Sequence, residues 1–407
     1  MSDVTVPSGG RARLDRVEGD LDAGDKATIE PGRRGTTVVT GQAVFRGDAT
    51  LLGPFECRRL DVRRGRLRAE ASLTVLEDLQ ADRSSVEVRG RVRAGRTDVD
   101  RELLLHADAV FGRLSVGGVL EAEGSLGAES VHVGGSARVR GATKADTVSV
   151  GGTVELGPVD LASFDVGGVG TVAGGTIRTK VAVGGTFESV GALTFGRLSV
   201  GGTATLGGGS KGGKIAVGGT LLVRGDVGFD RLAVGGVAEI EGTGAGDAVG
   251  VGGQLRVGEN LTLQGRFEVG GSSDVGGELA AGSLKVGGEF EARRASVRDD
   301  AQVGSTIRTD KGLWARRIEV ARRAAVRGRL VAETVEIGRD ATVEDVYGAS
   351  VQVGSGARVG AIHADEVDVG RDAQLGRVEY VRTLRLGPGA TVARTPIQVN
   401  ERAQPSP

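Results

Sequence analysis

The chain has 407 residues, with 52 basic against 53 acidic side chains and a formal net charge of −1. That balance lacks the basic footprint on which nucleic-acid binding ordinarily rests. Glycine is abundant at 72 residues without a Gly-X-Y period, which excludes collagen, and a 39% hydrophobic content argues against simple disorder.

Residues 1–11 read as a flexible tail, polar and broken by Pro7, Gly9 and Gly10. They hold no apolar segment of signal-peptide length. Residues 12–98 read as irregular coils. Leu14, Val17, Leu21 and Ile29 suggest a ragged first layer, which Pro31-Gly32-Arg33-Arg34-Gly35 then interrupts. Strand-like fragments such as Thr37-Val38-Val39 and Ala43-Val44-Phe45 follow. Cys57 is the one cysteine, so no intrachain disulfide can form. With no paired histidine it reads as a buried small hydrophobe.

From Val99 the register locks. Val-Gly-Gly recurs at Val116, Val133, Val150, Val166, Val183, Val200, Val217, Val234, Val251, Val269 and Val286, at intervals of 17 with one of 16 and one of 18. The apolar anchor continues without the glycine pair at Val303, Val320, Ile337, Val353, Val369 and Leu386. Counting each anchor as position 0, apolar residues fall at −2, 0, +4, +6, +10 and +12, as in Ile215, Val217, Leu221, Val223, Val227 and Phe229. Three alternating pairs per repeat mean three short strands and three corners, with no room for a helix. The expected fold is all-β: a three-sided parallel β-helix, or β-solenoid, of about 17 residues per coil, regular over 99–394. Residues 395–407 read as a flexible, proline-containing tail.

Finer features fit this frame. The glycines at +1 and +2 allow a left-handed backbone or close approach of successive coils. Between Phe55 and Gly387 the only proline is Pro158, at a corner position. Phe111, Phe164, Phe187, Phe195, Phe229, Phe267 and Phe290 all fall in inward phases. Trp314 falls at +11, which is outward. Either the register slips there or the indole is an exposed contact.

No catalytic, cofactor-binding or metal-binding residues stand out. His106, His132 and His363 lie in different phases, against a three-histidine zinc site. Carboxylates are scattered among Arg and Lys, and no polar residues are expected to stack in one phase over neighbouring coils. The irregular coils at 37–98 are the one place where such a stack could hide. No run of about 18 apolar residues suggests a membrane span. One stretch is biased: from Arg293 to Arg329 there are eleven basic residues against four acidic. Its doublets Arg316-Arg317 and Arg322-Arg323 are candidates for an acidic partner or an anionic membrane surface.

Leu114-Ser115-Val116-Gly117-Gly118, Val131-His132-Val133-Gly134-Gly135 and the style of Val44-Phe45-Arg46-Gly47-Asp48-Ala49 resemble the bactofilins, polymer-forming cytoskeletal proteins. The resemblance covers roughly residues 37–393, in a helix several times longer than is typical of that family. It implies a right-handed β-helix and nucleotide-independent end-to-end assembly into filaments. It also implies a non-enzymatic role in cell shape or scaffolding and a cytoplasmic location, with a membrane surface as a candidate contact. The expected partner is the chain itself. Two alternatives stay open: an adhesin-like surface or binding rod, and a β-helix enzyme with its site in the irregular N-terminal coils.

Overall fold

The computed structural model describes residues 3–405, and among them every regular element is a strand. The chain divides into two compact units, Met1–Gly201 and Gly202–Pro407. Each is a parallel β-solenoid.

In the first unit the anchors stack directly. Val99, Val116, Val133, Val150, Val166, Val183 and Val200 pair in sequence along parallel ladders. Each is exposed by 5% or less. The same column continues toward the N-terminus through Val62, Phe45, Ala23 and Val6, entering by way of Ala81. Two expectations change here. Most of the expected N-terminal tail is structured: Val4–Val6 pairs with Leu21–Ala23, and Arg11–Leu14 pairs with Ala27–Pro31. Val6 is buried at 3% exposure, so burying it in the first coil outweighs the polar composition around it. Residues 1–2 of that tail lie outside the described residues. Residues 12–98 are irregular in coil length while their stacking is as regular as elsewhere. The extra residues leave the coil as turns, as at Pro31–Gly35.

The second unit repeats the arrangement from Val217 to Leu386 through Val234, Val251, Val269, Val286, Val303, Val320, Ile337, Val353 and Val369. Leu386 alone among these anchors is exposed, at 47%. The expected C-terminal tail is also partly ordered. Ile397–Gln398 pairs with Glu379–Tyr380, and the Val399 amide donates to the Tyr380 carbonyl at 2.9 Å. Residues 406–407 lie outside the described residues.

Strand residues alternate between core and solvent, as period-2 geometry requires. All seven phenylalanines placed inward by phase are exposed by 5% or less. Three edge-to-face pairs link neighbouring layers: Phe45–Phe55, Phe164–Phe187 and Phe267–Phe290, with centroids 6.2, 6.3 and 6.4 Å apart. Large side chains are matched by small ones. Gly170 occupies a buried inward position, and a Cβ added there would lie 3.2 Å from Phe164 Cε1. Pro158 sits where Thr153–Val166 runs through its corner without interruption, in register with Gly174.

Corner chemistry separates two kinds of coil. The glycine pairs do not use the left-handed region. Their reason is close approach: a Cβ on Gly152 would lie 2.6 Å from the Gly135 carbonyl oxygen, and one on Gly252 2.6 Å from that of Gly235. Where the glycine pair is missing, several corners turn left-handed instead, at +2 in Arg64 (φ 57°) and Arg83 (50°) and at +3 in four others. Lys26 (φ 61°), Arg323 (61°), Asp340 (58°) and Asp372 (56°) do so without being glycine. Each donates its amide to the next coil: Lys26 to Asp48, Arg323 to Arg339, Asp340 to Ser355 and Asp372 to Pro388, at 2.6–3.0 Å.

At another corner, carboxylates tie coil to coil. Asp108 accepts the Ser125 amide at 2.9 Å, and Asp226 accepts both the amide and the hydroxyl of Thr243 at 2.8 Å. The amide bond, then the hydroxyl, holds the Asp226 carboxyl below its ordinary value.

Two predictions follow from the corners. Gly152→Ala is expected to cost about 1–3 kcal/mol, because a main-chain carbonyl cannot move aside as a side chain does. Gly250→Ala, where no atom lies within 4 Å, is expected to leave thermal unfolding unchanged or raise its midpoint slightly. Equal losses for the two variants in thermal melts would refute the close-approach account. For Asp226, a depressed folded-state value means that its contribution is present above the ordinary aspartate range and lost as pH falls through the depressed value. The midpoint difference between wild type and Asp226→Ala should therefore be largest near neutral pH and shrink below about pH 4.

Candidate functional site

The three histidines stand in three separate settings. His106 lies between two carboxylates, with Nε2 3.7 Å from Glu87 and Nδ1 3.4 Å from Glu123. His132 sits in an outward row described below. His363 stacks on Tyr347 with centroids 4.7 Å apart, and its Nδ1 lies 2.6 Å from Glu379 Oε2. Among the described residues no three of His, Cys, Asp and Glu group as a metal site. Cys57 is fully buried, and burial pushes its thiol up to about 12.

A polar stack does exist in one phase, contrary to the sequence expectation. Asp61, Gln80, Asp98, Ser115, His132, Ser149 and Asp165 pair in register on successive coils of the first unit, all at position −1. At its N-terminal end the row borders a groove of about 380 Å³ that also takes in Arg59, Asp78 and Arg96. Asp61 is exposed by 7%. The Arg63 guanidinium binds its Oδ2, while its Oδ1 has no hydrogen-bond partner. Farther along, the His132 ring makes no hydrogen bond among the described residues. The adjacent Ser115, His132 and Ser149 therefore lack the nucleophile–base bond of an activated hydroxyl. Such a row is legible only after the register is known, because its members are 16 to 19 residues apart and chemically unlike.

The four arginines singled out by charge do not act alike. Arg316 bonds to Asp300 at 3.2 Å and Arg317 to Glu336 at 2.6 Å, both on exposed ladders. Such exposed pairs contribute little to stability. Arg322 and Arg323 form the left-handed turn after Val320, are exposed, and have no ion-pair partner among the described residues.

Trp314 does not mark a slip. Leu313, Trp314 and Ala315 pair in register with Leu330, Val331 and Ala332, so the indole points outward. It is nevertheless half-buried. Its Nε1 donates to the Lys311 carbonyl at 3.2 Å, and the Arg294 guanidinium carbon lies 5.2 Å from the ring centroid. Trp314 closes a groove of about 730 Å³ whose outward row is Thr262, Ala280, Ser296, Trp314 and Val331. Arg298, Arg316 and Arg402 stand on its rim with one acid, Glu333. Charge counting over Arg293–Arg329 took in Arg298 and Arg316 but not Arg402, and the role of Arg294 over the ring was not visible in it.

No helix among the described residues is long and apolar enough to cross a membrane. Comparison with protein-family models finds no match, and comparisons with curated proteins and with solved structures likewise return none.

The Cys57 environment gives a direct prediction. In native protein at neutral pH the thiol should resist a disulfide-exchange reagent, and it should react stoichiometrically once the chain is unfolded in denaturant. Rapid reaction in the native state would contradict its burial.

Proposed function

We propose that this protein is a non-enzymatic structural scaffold that associates with its own copies end to end, without nucleotide, into cytoskeletal filaments of the bactofilin kind. The observation that carries the reading is the edge left by the strand Gln374–Leu386. Beyond Tyr380 this strand has no ladder partner on its far side among the described residues. Leu386 on this edge is 47% exposed, and Ile397, on the two-residue strand that covers Glu379–Tyr380, is 49% exposed. In the other unit, Val4–Val6 is paired on one side only. Unpaired parallel edges are templates for further strands. A head-to-tail contact between two different edges is heterologous, and when its rotation does not close on itself it propagates as an open filament. In this reading the assembly works in the cytoplasm, supports cell shape or holds other proteins in place, and can rest on an anionic membrane surface. Arg322 and Arg323, with their charges unpaired, suit that contact better than Arg316 and Arg317.

A second reading, a β-helix enzyme or binding protein with its site among the N-terminal coils, has one specific observation in its favour. This is the groove along Asp61, Gln80 and Asp98, with the unpartnered Asp61 Oδ1.

Purified protein is expected to scatter light increasingly with concentration and to form filaments by negative-stain electron microscopy, with or without nucleotide. Leu386→Asp with Ile397→Asp should abolish both while preserving the β-sheet circular dichroism signal. A wild-type chain that stays monomeric across concentration and salt would sink the scaffold reading.

A further inference from the structure

The groove at Trp314 is built differently from the rest of the second unit's surface. Most outward strand positions there carry charged or polar side chains. Along this row they are short or apolar: Thr262, Ala280, Ser296 and then Val331 beyond the indole. The missing bulk makes the depression, and Trp314 forms one wall. The indole is held in place at two points. Its polar edge is satisfied by the Lys311 carbonyl, and Arg294 lies over its face. The Arg294 Nε is shielded from solvent and has no hydrogen-bond partner. What the indole offers outward is apolar surface.

The rim carries the complementary part. Arg298 has no ion-pair partner among the described residues and is exposed. Arg316 and Arg402 reach their carboxylates, Asp300 and Asp365, at 3.2 and 3.6 Å. Glu333 is the single acid on the rim. A fixed tryptophan beside arginines is the composition that dominates binding energy at protein interfaces.

We propose that this groove binds an acidic peptide segment of a partner protein, with a bulky apolar side chain lodged against Trp314 and flanking carboxylates on Arg298 and Arg316. Three other occupants fit less well. A single-stranded nucleic acid wants a series of stacking platforms, and Trp314 is the one aromatic side chain lining the groove; Tyr347, farther along the row, has its ring stacked on His363. A sugar chain wants rows of hydrogen-bonding side chains, and here alanine and valine supply much of the lining. A bilayer surface cannot enter a groove. The inference does not depend on self-assembly, since the groove lies along a sheet face and uses no strand edge.

Trp314 is the only tryptophan in the chain, so its own fluorescence reads the site. The probe is a synthetic peptide of glutamates around a central leucine, free of Trp and Tyr, titrated into the full chain at low salt. A saturable shift in tryptophan emission is expected, weakening as salt rises. With a dye-labelled peptide and anisotropy as readout, Trp314→Ala and the double variant Arg298→Glu/Arg316→Glu should each lose at least about tenfold in affinity, roughly 1.4 kcal/mol. Arg298→Lys/Arg316→Lys should retain most of it. Circular dichroism confirms that each variant is folded. The proposal is overturned if the peptide leaves the emission unchanged, or if the charge-reversed variant binds as wild type. It is equally overturned if an oligothymidylate, a polygalacturonate or anionic vesicles shift the emission and the peptide does not. Light scattering on the same samples reads assembly separately, so peptide binding without filaments, or filaments without peptide binding, tells the two readings apart.

Discussion

The corner where main chain lies on main chain is the constraint on which both units depend. Coils of a parallel solenoid stack at about 4.8 Å, so each corner must repeat the path of the one beneath it. At the glycine pairs that path leaves no volume for a Cβ against the carbonyl of the coil below. At corners such as those of Lys26, Arg323, Asp340 and Asp372, the residue at +3 instead takes a left-handed conformation and hands its amide to the next coil. These are two solutions to one problem. The first needs glycine at two positions. The second keeps glycine or alanine at +1 and releases +2 to arginine or aspartate, as in Arg322, Arg339, Arg371 and Asp25, and so puts charge on the corner.

That trade explains which parts of the chain could be read in advance. The anchors from Val99 to Leu386 were legible because corner and core recur together about every 17 residues. The coils before Val99 obey the same physics but hide it. Their anchor column holds Ala23, Phe45 and Ala81 in place of valine, and coil lengths drift once turns such as Pro31–Gly35 project from the stack. The core tolerates this because an inward position requires an apolar side chain and sets no distance along the chain. Val4–Val6 was masked for a related reason. A three-residue strand flanked by Pro7 and glycines looks like a tail until its parallel partner is known.

The surfaces were harder to read than the core. Charge counting located the arginine-rich stretch but not its division between paired Arg316 and Arg317 and unpaired Arg322 and Arg323. Residues that become neighbours across coils are separated by a full repeat, so an outward row has no local signature. The row from Asp61 to Asp165 and the Trp314 groove are both of this kind. Trp314 could be assigned an outward phase, yet its environment comes from Arg294, short side chains on three neighbouring coils and a lysine carbonyl. None of these is close to a motif.

A stack of near-identical layers carries a hazard during folding. A growing strand that docks one layer early or late finds corners and anchors that accept it almost as well. The phenylalanines discriminate between layers. The Phe164 ring fills the space left by Gly170 and meets Phe187 edge-on, and a comparable pair forms at Phe267 and Phe290. Displaced by a single layer, the Phe164 ring would lose both the room at Gly170 and its edge contact with Phe187. With an interior otherwise rich in small aliphatic residues, these few aromatic matches number the layers and make one threading of the chain more stable than its shifted alternatives.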